Sequence, residues 1–201
     1  MPLSRIAYRG QISGFVKRFV DLCLASVVGL VLLGPIAAVA LLVKLTSRGP
    51  AIYWSDRVGK HNKIFRMPKF RTMRVDTPTV ATHLLADPER FLIPLGSFLR
   101  RSSLDELPQV WSILIGDMSF VGPRPALFNQ HDLIALRTEA GVCSLRPGLT
   151  GWAQVNGRDE LAVPQKVALD VVYMQRQSLG FDLYILWLTA LKVLQRDGVS
   201  H

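Results

Sequence analysis

The longest apolar run extends from Leu22 to Val43 with no charged residue inside it. Wound as a helix at about 1.5 Å per residue, it reaches roughly 33 Å, enough for the hydrocarbon core of a bilayer. Gly34-Pro35 interrupts the run. Proline lacks an amide donor and its ring clashes with the preceding turn, so the pieces on either side are each too short to cross. An ordinary kinked span is one reading, and a helix that enters, bends at Pro35 and returns to the same face is the other. A secretory signal fits poorly, because the run is too long and is followed by Lys44 rather than a small-residue cleavage site.

After Gly49-Pro50 the pattern changes. Alternation around Ile52, Tyr53 and Trp54, a turn near Gly59 to Asn62, and then Ile64, Phe65 and Phe70 predict a β-hairpin ending in Lys69 and Arg71. Val75 to Pro88 has no periodicity and reads as a loop. Phe91, Leu92, Leu95, Phe98 and Leu99 recur at helical spacing, with Pro94 and Gly96 shortening the piece; membrane contact and core packing are both open for it. Val167 to Met174 and Leu183 to Leu194 predict two helices separated near Gly180, the second carrying Tyr184 and Trp187, as an interfacial or a core helix. The expected fold class is α/β: a small domain pressed against a membrane by a re-entrant, Pro-bent helix, a short hairpin and several amphipathic helices. Residues 1–48 form its basic N-terminus and membrane helix, and residues 49–201 form a catalytic domain on the cytoplasmic face.

Charge favours the re-entrant reading. Positions 1 to 74 hold thirteen Lys and Arg against two acids, although the net charge of the whole chain is only +9. Arg5, Arg9, Lys17 and Arg18 precede the apolar run while Lys44, Arg48 and Arg57 follow it, so both flanks suit the cytoplasmic side. Basic residues packed around an apolar stretch fit an anionic lipid surface better than nucleic acid, for which no recognition motif is present. Cys23 and Cys143 have no paired spacing and read as free thiols. His61, His83, His131 and His201 form no metal or triad pattern, and neither a Walker loop nor GxGxxG occurs.

The chemistry gathers in Arg100-Arg101-Ser102-Ser103-Leu104-Asp105-Glu106-Leu107-Pro108 and in Gly116 through Pro125. Ser103 with Glu106 fits a capping box, and Asp105 near a helix start gains from the helix dipole. The same location beside arginines favours an ionised carboxylate and attracts phosphate, so an ionised Asp there is also a candidate nucleophile. Neighbours on a helix point about 100° apart, which leaves the two acids separate roles. Gly122-Pro123-Arg124-Pro125 fixes the backbone around one guanidinium suited to bidentate phosphate binding. Arg146-Pro147-Gly148 through Trp152 is a turn-rich loop carrying a cation, and Asn156-Gly157 reads as a tight hairpin turn.

In order and spacing these segments resemble the small phosphoglycosyl transferases, the bacterial polyprenyl-phosphate sugar-1-phosphate transferases, from about Lys17 to Ser200. The matching pieces are Lys17-Arg18-Phe19 with Asp21, Lys69-Phe70-Arg71-Thr72-Met73, Ser103 through Gln109, Gly116 through Pro125, and Arg146-Pro147-Gly148 through Asn156-Gly157-Arg158. The family's membrane helix bends at a Ser-Pro pair where this chain has Gly34-Pro35. Larger relatives carry extra segments before this core, so the chain reads as the minimal catalytic form.

The resemblance implies that Asp105 attacks the sugar-linked phosphate of a UDP-sugar, expels UMP, and carries a phosphosugar until polyprenyl (undecaprenyl) phosphate accepts it. This would be the first membrane step of a bacterial glycan pathway, at the inner membrane. It implies Mg²⁺ with Glu106 as ligand, phosphate binding by Arg100, Arg124 and Lys69, and nucleotide binding by Arg146, Pro147, Gly148, Thr150 and Gly151. The rival readings are a glycosyltransferase acting on an existing glycan and a non-catalytic membrane-associated interaction protein. The loops give no code for the sugar.

Overall fold

A computed structural model describes residues 14–77, 87, 89–157 and 160–195. The loop read between Val75 and Pro88 lies largely outside them, as do Arg5, Arg9, Arg158 and Asp159.

The apolar run forms one helix, α1 (Gly14–Thr46), with Pro35 inside it. The helix continues through Pro35, which lacks an amide donor of its own. Among the described residues α1 is the one helix long and apolar enough to cross a membrane. It is no free stalk. Ala25 enters a core with Met67, Ile113, Met118, Tyr173 and Ile185, and Val28 and Leu32 pack beside it. Further along, Val39 and Val43 enter a second core with Phe70, Ile93 and Leu99. Both halves of the helix thus lie along one folded body, while Phe19, Leu30, Val31, Leu33 and Leu45 face outward.

Polar anchors fix each end. Lys17 Nζ meets Asp182 Oδ2 at 2.6 Å, Arg18 donates to the carbonyls of Ile113 and Leu114, and buried Asp21 accepts from Ser119 Oγ and the Phe120 amide. At the other end Arg71 donates to the carbonyls of Pro50 and Arg48, both at 2.7 Å, and to Ser47 Oγ at 2.9 Å. Carbonyls at and beyond a helix C-terminus carry partial negative charge that a guanidinium neutralises.

The predicted hairpin is present as β1 (Ile52–Val58) antiparallel to β2 (Ile64–Phe70). At its turn His61 and Asn62 adopt φ of 55° and 60°, a region Asn and His enter more readily than most residues. Asn62 Nδ2 then donates to Thr138 Oγ1 at 2.9 Å. The apolar stretch around residue 95 yields only the short α2 (Gly96–Arg101), with Leu99 buried and Phe98 exposed. A 3₁₀ helix (Leu104–Gln109) runs into α3 (Val110–Ile115) and then β3 (Ser119–Val121).

A chain excursion through α4 (His131–Glu139) returns as β4 (Gly148–Thr150), which pairs in parallel with β3. Their approach is so close that a Cβ on Gly148 would collide with the Gly122 backbone nitrogen, a contact only glycine permits. Next come α5 (Trp152–Val155), α6 (Val163–Arg176) and α7 (Leu179–Gln195). Asn156-Gly157 is not a hairpin turn: Asn156 closes α5 and donates to the Trp152 carbonyl at 2.7 Å. The final two helices separate at Gln177-Ser178, and Gly180 lies within the first turn of α7. The architecture is therefore mostly helical rather than evenly α/β, with the strands among the described residues confined to two two-stranded ladders.

Candidate active site

Asp105 and Glu106 open the 3₁₀ helix that leads into α3, as the sequence suggested. The rival capping-box arrangement is absent: Ser103 takes a left-handed conformation and its side chain caps nothing. The Glu106 amide bonds to the Ser103 carbonyl instead, and the Glu106 carboxylate turns toward two cations. Lys69 Nζ donates to Oε1 at 2.8 Å, and Arg124 Nη2 donates to the same oxygen at 2.9 Å. Lys69 Nζ also lies 3.9 Å from Asp105 Oδ2. Successive residues of a 3₁₀ helix diverge by about 120°, so one lysine reaches both acids only from between them.

The two carboxyls are electrostatically unlike. Burial pushes Asp105 up to about 6, and the repulsion of Glu106 adds to this against the pull of Lys69, Arg100 and Arg124. Burial acts on Glu106 in the same sense, yet Arg124 and Lys69, by charge and by hydrogen bond, overcome it and hold Glu106 well below the usual carboxylate range. Near neutral pH Glu106 is a fixed anion already spoken for, while Asp105 is an anion of raised basicity with little direct pairing. The second suits a nucleophile or a base.

The surroundings keep these groups in place. Lys69 is carried by β2, with Tyr53 opposite it across the hairpin. Arg100, at the end of α2, donates from Nε to Thr72 Oγ1 at 3.0 Å; burial lowers its pKa and Asp105 opposes this. Arg124 follows β3, and its carbonyl accepts from Arg137 Nη1 at 2.7 Å, while Arg137 itself pairs with buried Asp170 at 2.7 Å. A hollow lined by Val58, Gly59, Arg124, Pro125, Arg137 and Cys143 lies against the Pro123-Arg124-Pro125 turn without reaching Asp105 or Glu106.

The structure thus unites Lys69, Arg100, Asp105, Glu106 and Arg124. The Arg146 to Gly151 loop is tied into the fold beside this cluster. Arg146 donates to the Gly116 carbonyl at 3.0 Å, the Pro147 carbonyl accepts from Ser119, Gly148 sits in the parallel ladder, and Thr150 Oγ1 bonds Thr189 at 2.7 Å. Gly151 abuts the Gly122 carbonyl. The loop meets the site's frame through Gly148, whose amide bonds the Pro123 carbonyl at 2.9 Å, next to Arg124. Gly34 and Pro35 belong to α1, outside this cluster.

Two participants were not singled out from sequence. Thr72 orients Arg100. Arg57, counted only as a flanking charge, projects from the same face of the hairpin as Lys69. Strand alternation would have placed Arg57 there had the register been readable.

The family model for bacterial sugar transferases matches residues 12–196. The chain belongs to that family. An uncharacterised sugar transferase of Bacillus subtilis is 42% identical over 161 residues, covering 79% of this chain and 77% of the relative. The undecaprenyl-phosphate galactose phosphotransferase of Salmonella typhimurium is 37% identical over 92% of this chain and 42% of its own length. The UDP-glucose:undecaprenyl-phosphate glucose-1-phosphate transferase of Escherichia coli is 37% identical over 90% of this chain and 40% of its own. The chain therefore spans about two-fifths of these last two relatives. Within the bacterial sugar transferase family, the matched region includes every residue of the charged cluster.

Proposed function

We propose that this protein transfers a sugar-1-phosphate from a UDP-sugar to polyprenyl phosphate through a covalent Asp105 phosphosugar. The observation that carries this reading is the division of labour in the dyad. Glu106 is neutralised by Lys69 and Arg124, whereas Asp105 is buried, lightly paired and raised to about 6, hence ionised and basic at neutral pH. The relatives' names, which pair undecaprenyl phosphate with hexose phosphate, support the choice of reactants.

In the first half-reaction an Asp105 oxygen forms a bond to the sugar-linked phosphorus while the bridging P–O bond breaks. The electron pair leaves on UMP. In the second, a polyprenyl phosphate oxygen attacks the same phosphorus and returns the carboxylate. Lys69, Arg100 and Arg124 screen the attacking carboxylate from the phosphate it approaches, which is where electrostatic preorganisation has the most to contribute. Among the described residues no three His, Cys, Asp or Glu gather into a metal cluster. A magnesium ion needs only one or two carboxylates when phosphate oxygens complete its shell, so the dyad fits it. Glu106 would hold it; when bound it would supply charge neutralisation at the diphosphate.

The outward apolar face of α1 supports seating at a membrane, and the contact of both its halves with the domain supports a helix that does not leave the domain's side of the bilayer. The test is UMP release from UDP-sugars by membrane-reconstituted protein. Wild type releases UMP and gains the mass of a phosphosugar on the peptide containing Asp105; Asp105→Asn does neither. Unchanged release by Asp105→Asn would end the proposal.

A further inference from the structure

The hairpin brings more to the site than its lysine. Tyr53 stands directly opposite Lys69 in the register of β1 and β2, so the two side chains rise from one face with their Cβ atoms about 5 Å apart. The pairing runs on past them, the Arg71 amide bonding the Ala51 carbonyl at 2.9 Å, which fixes the register at Tyr53. From that face a circuit of contacts surrounds the site. Lys69 Nζ bonds Glu106 Oε1 at 2.8 Å and lies 3.9 Å from Asp105 Oδ2. Glu106 Oε1 accepts from Arg124 Nη2 at 2.9 Å, and the adjoining Pro125 carbonyl accepts from Arg57 Nη1 at 3.3 Å. Arg57 Nε donates to Ser55 Oγ at 3.0 Å, and Ser55 follows Tyr53 by two positions on the same face.

Tyr53 is the aromatic member of this circuit. It is 47% exposed, although Lys69, Asp105 and Glu106 beside it are largely buried. Among the described residues its ring takes part in no ring pair, whereas Trp54, on the opposite face of the hairpin, lies under the Arg66 guanidinium at 5.4 Å. The rim of a charged site thus carries one open aromatic face next to the lysine that reaches both acids.

If Asp105 meets the sugar-linked phosphorus, the covalent neighbours of that phosphorus along the donor are the hexose and the second phosphate. The second phosphate is anionic and is matched by guanidinium and ammonium groups, not by a ring face. The uracil stands a phosphate and a ribose further away. The hexose adjoins the phosphorus, and the polarised C–H groups on one side of a pyranose suit the negative face of an aromatic ring. We propose that Tyr53 packs its ring on the hexose being transferred. This rests on the phosphosugar-transfer reading and adds a contact for the sugar itself. Because the hexose stays on the enzyme when UMP leaves, the contact serves both half-reactions and is absent from UMP.

The experiment measures binding of UMP, UDP-glucose and UDP-galactose to the full chain in detergent or nanodiscs, with Asp105→Asn as the parent so that, on the proposed mechanism, nothing turns over. Tyr53→Ala is expected to weaken the better-bound UDP-hexose about tenfold and to leave UMP within twofold. Tyr53→Phe, which keeps the ring, should stay within twofold of the parent for all three. Equal weakening of UMP and UDP-hexose would move the ring to the nucleotide and overturn the assignment. Unchanged UDP-hexose affinity in a folded Tyr53→Ala variant would overturn it too, whatever that variant does to the lipid step. If Tyr53→Ala fails to fold, Tyr53→Leu decides the matter: UDP-hexose affinity equal to the parent rejects the role of the ring. Failure of both wild type and Asp105→Asn to bind UMP or either UDP-hexose would overturn the functional reading with it.

Discussion

Two clusters of charge flank α1's partners, and they are balanced differently. Where α1 begins, Lys17 is matched by Asp182, whose other oxygen accepts from Tyr173 at 2.8 Å. Asp21 is satisfied by Ser119 and Phe120, and Arg18 by two carbonyls. Each polar group there has its partner within the fold. At the dyad, Lys69, Arg100, Arg124 and Arg57 surround two carboxylates, one of which absorbs two cations while the other is left lightly paired. A cluster that exists to dock a helix neutralises itself. The cluster at the dyad keeps a surplus of cations, as the proposed phosphate binding requires, and the fold bears the repulsion.

That contrast can be broken in several ways. The largest effect should come from Glu106→Gln, which removes the anion that seats Lys69 and Arg124; UMP release should fall about a thousandfold, in the range of a lost preorganised charge contact. Loss of less than tenfold would mean that Glu106 only holds its neighbours in place. Next, Lys17→Met leaves Asp182 buried without its cation. Thermal or urea unfolding should show a loss of about 2–3 kcal/mol, somewhat under the value for a fully buried pair because both side chains keep slight solvent contact. Lys17→Met with Asp182→Asn should recover part of it.

Asp105→Asn should act in the opposite sense on stability. A carboxyl raised from 3.8 to about 6 is unfavourable when ionised, and this cost is fully present above pH 6 and vanishes below about pH 4. The variant should therefore be more stable than wild type at pH 8 by on the order of 1–3 kcal/mol, and equal to it in acid, by urea melts at both pH values. A variant equally stable at pH 8 would show that Asp105 is not strained by its setting. The smallest effect concerns rate: single-turnover UMP release should drop about fivefold between pH 6 and pH 5 as Asp105 takes up its proton. A flat profile would remove Asp105's ionisation from the rate-determining step.

The sequence revealed local objects better than their pairing. The hairpin, the apolar helix and the two C-terminal helices each repeat a period over enough residues to be seen. The three-residue strands β3 and β4 do not, and their parallel pairing joins segments separated by α4. Asn156-Gly157 misled because the same dipeptide that turns a hairpin also closes a helix. In the site, Asp105, Glu106, Lys69, Arg100 and Arg124 were legible through their company of motifs. Arg57 was not, because its place depends on which face of β1 turns inward, a fact held in the register with β2. Nor did Ser103 show in advance that it would enter a left-handed turn and free Glu106 from capping.

Arg71 gives the apolar helix α1 a consequence for modularity. It clamps Ser47, Arg48 and Pro50 just past α1, and two residues back, inside β2, Lys69 holds Glu106. One short stretch of backbone thus carries both the fitting for the helix and a fitting for the dyad. The helix is not an interchangeable part: a chimera that exchanges α1 between relatives should keep its catalytic alignment only if the 47–50 junction and the end of β2 with Arg71 travel with it.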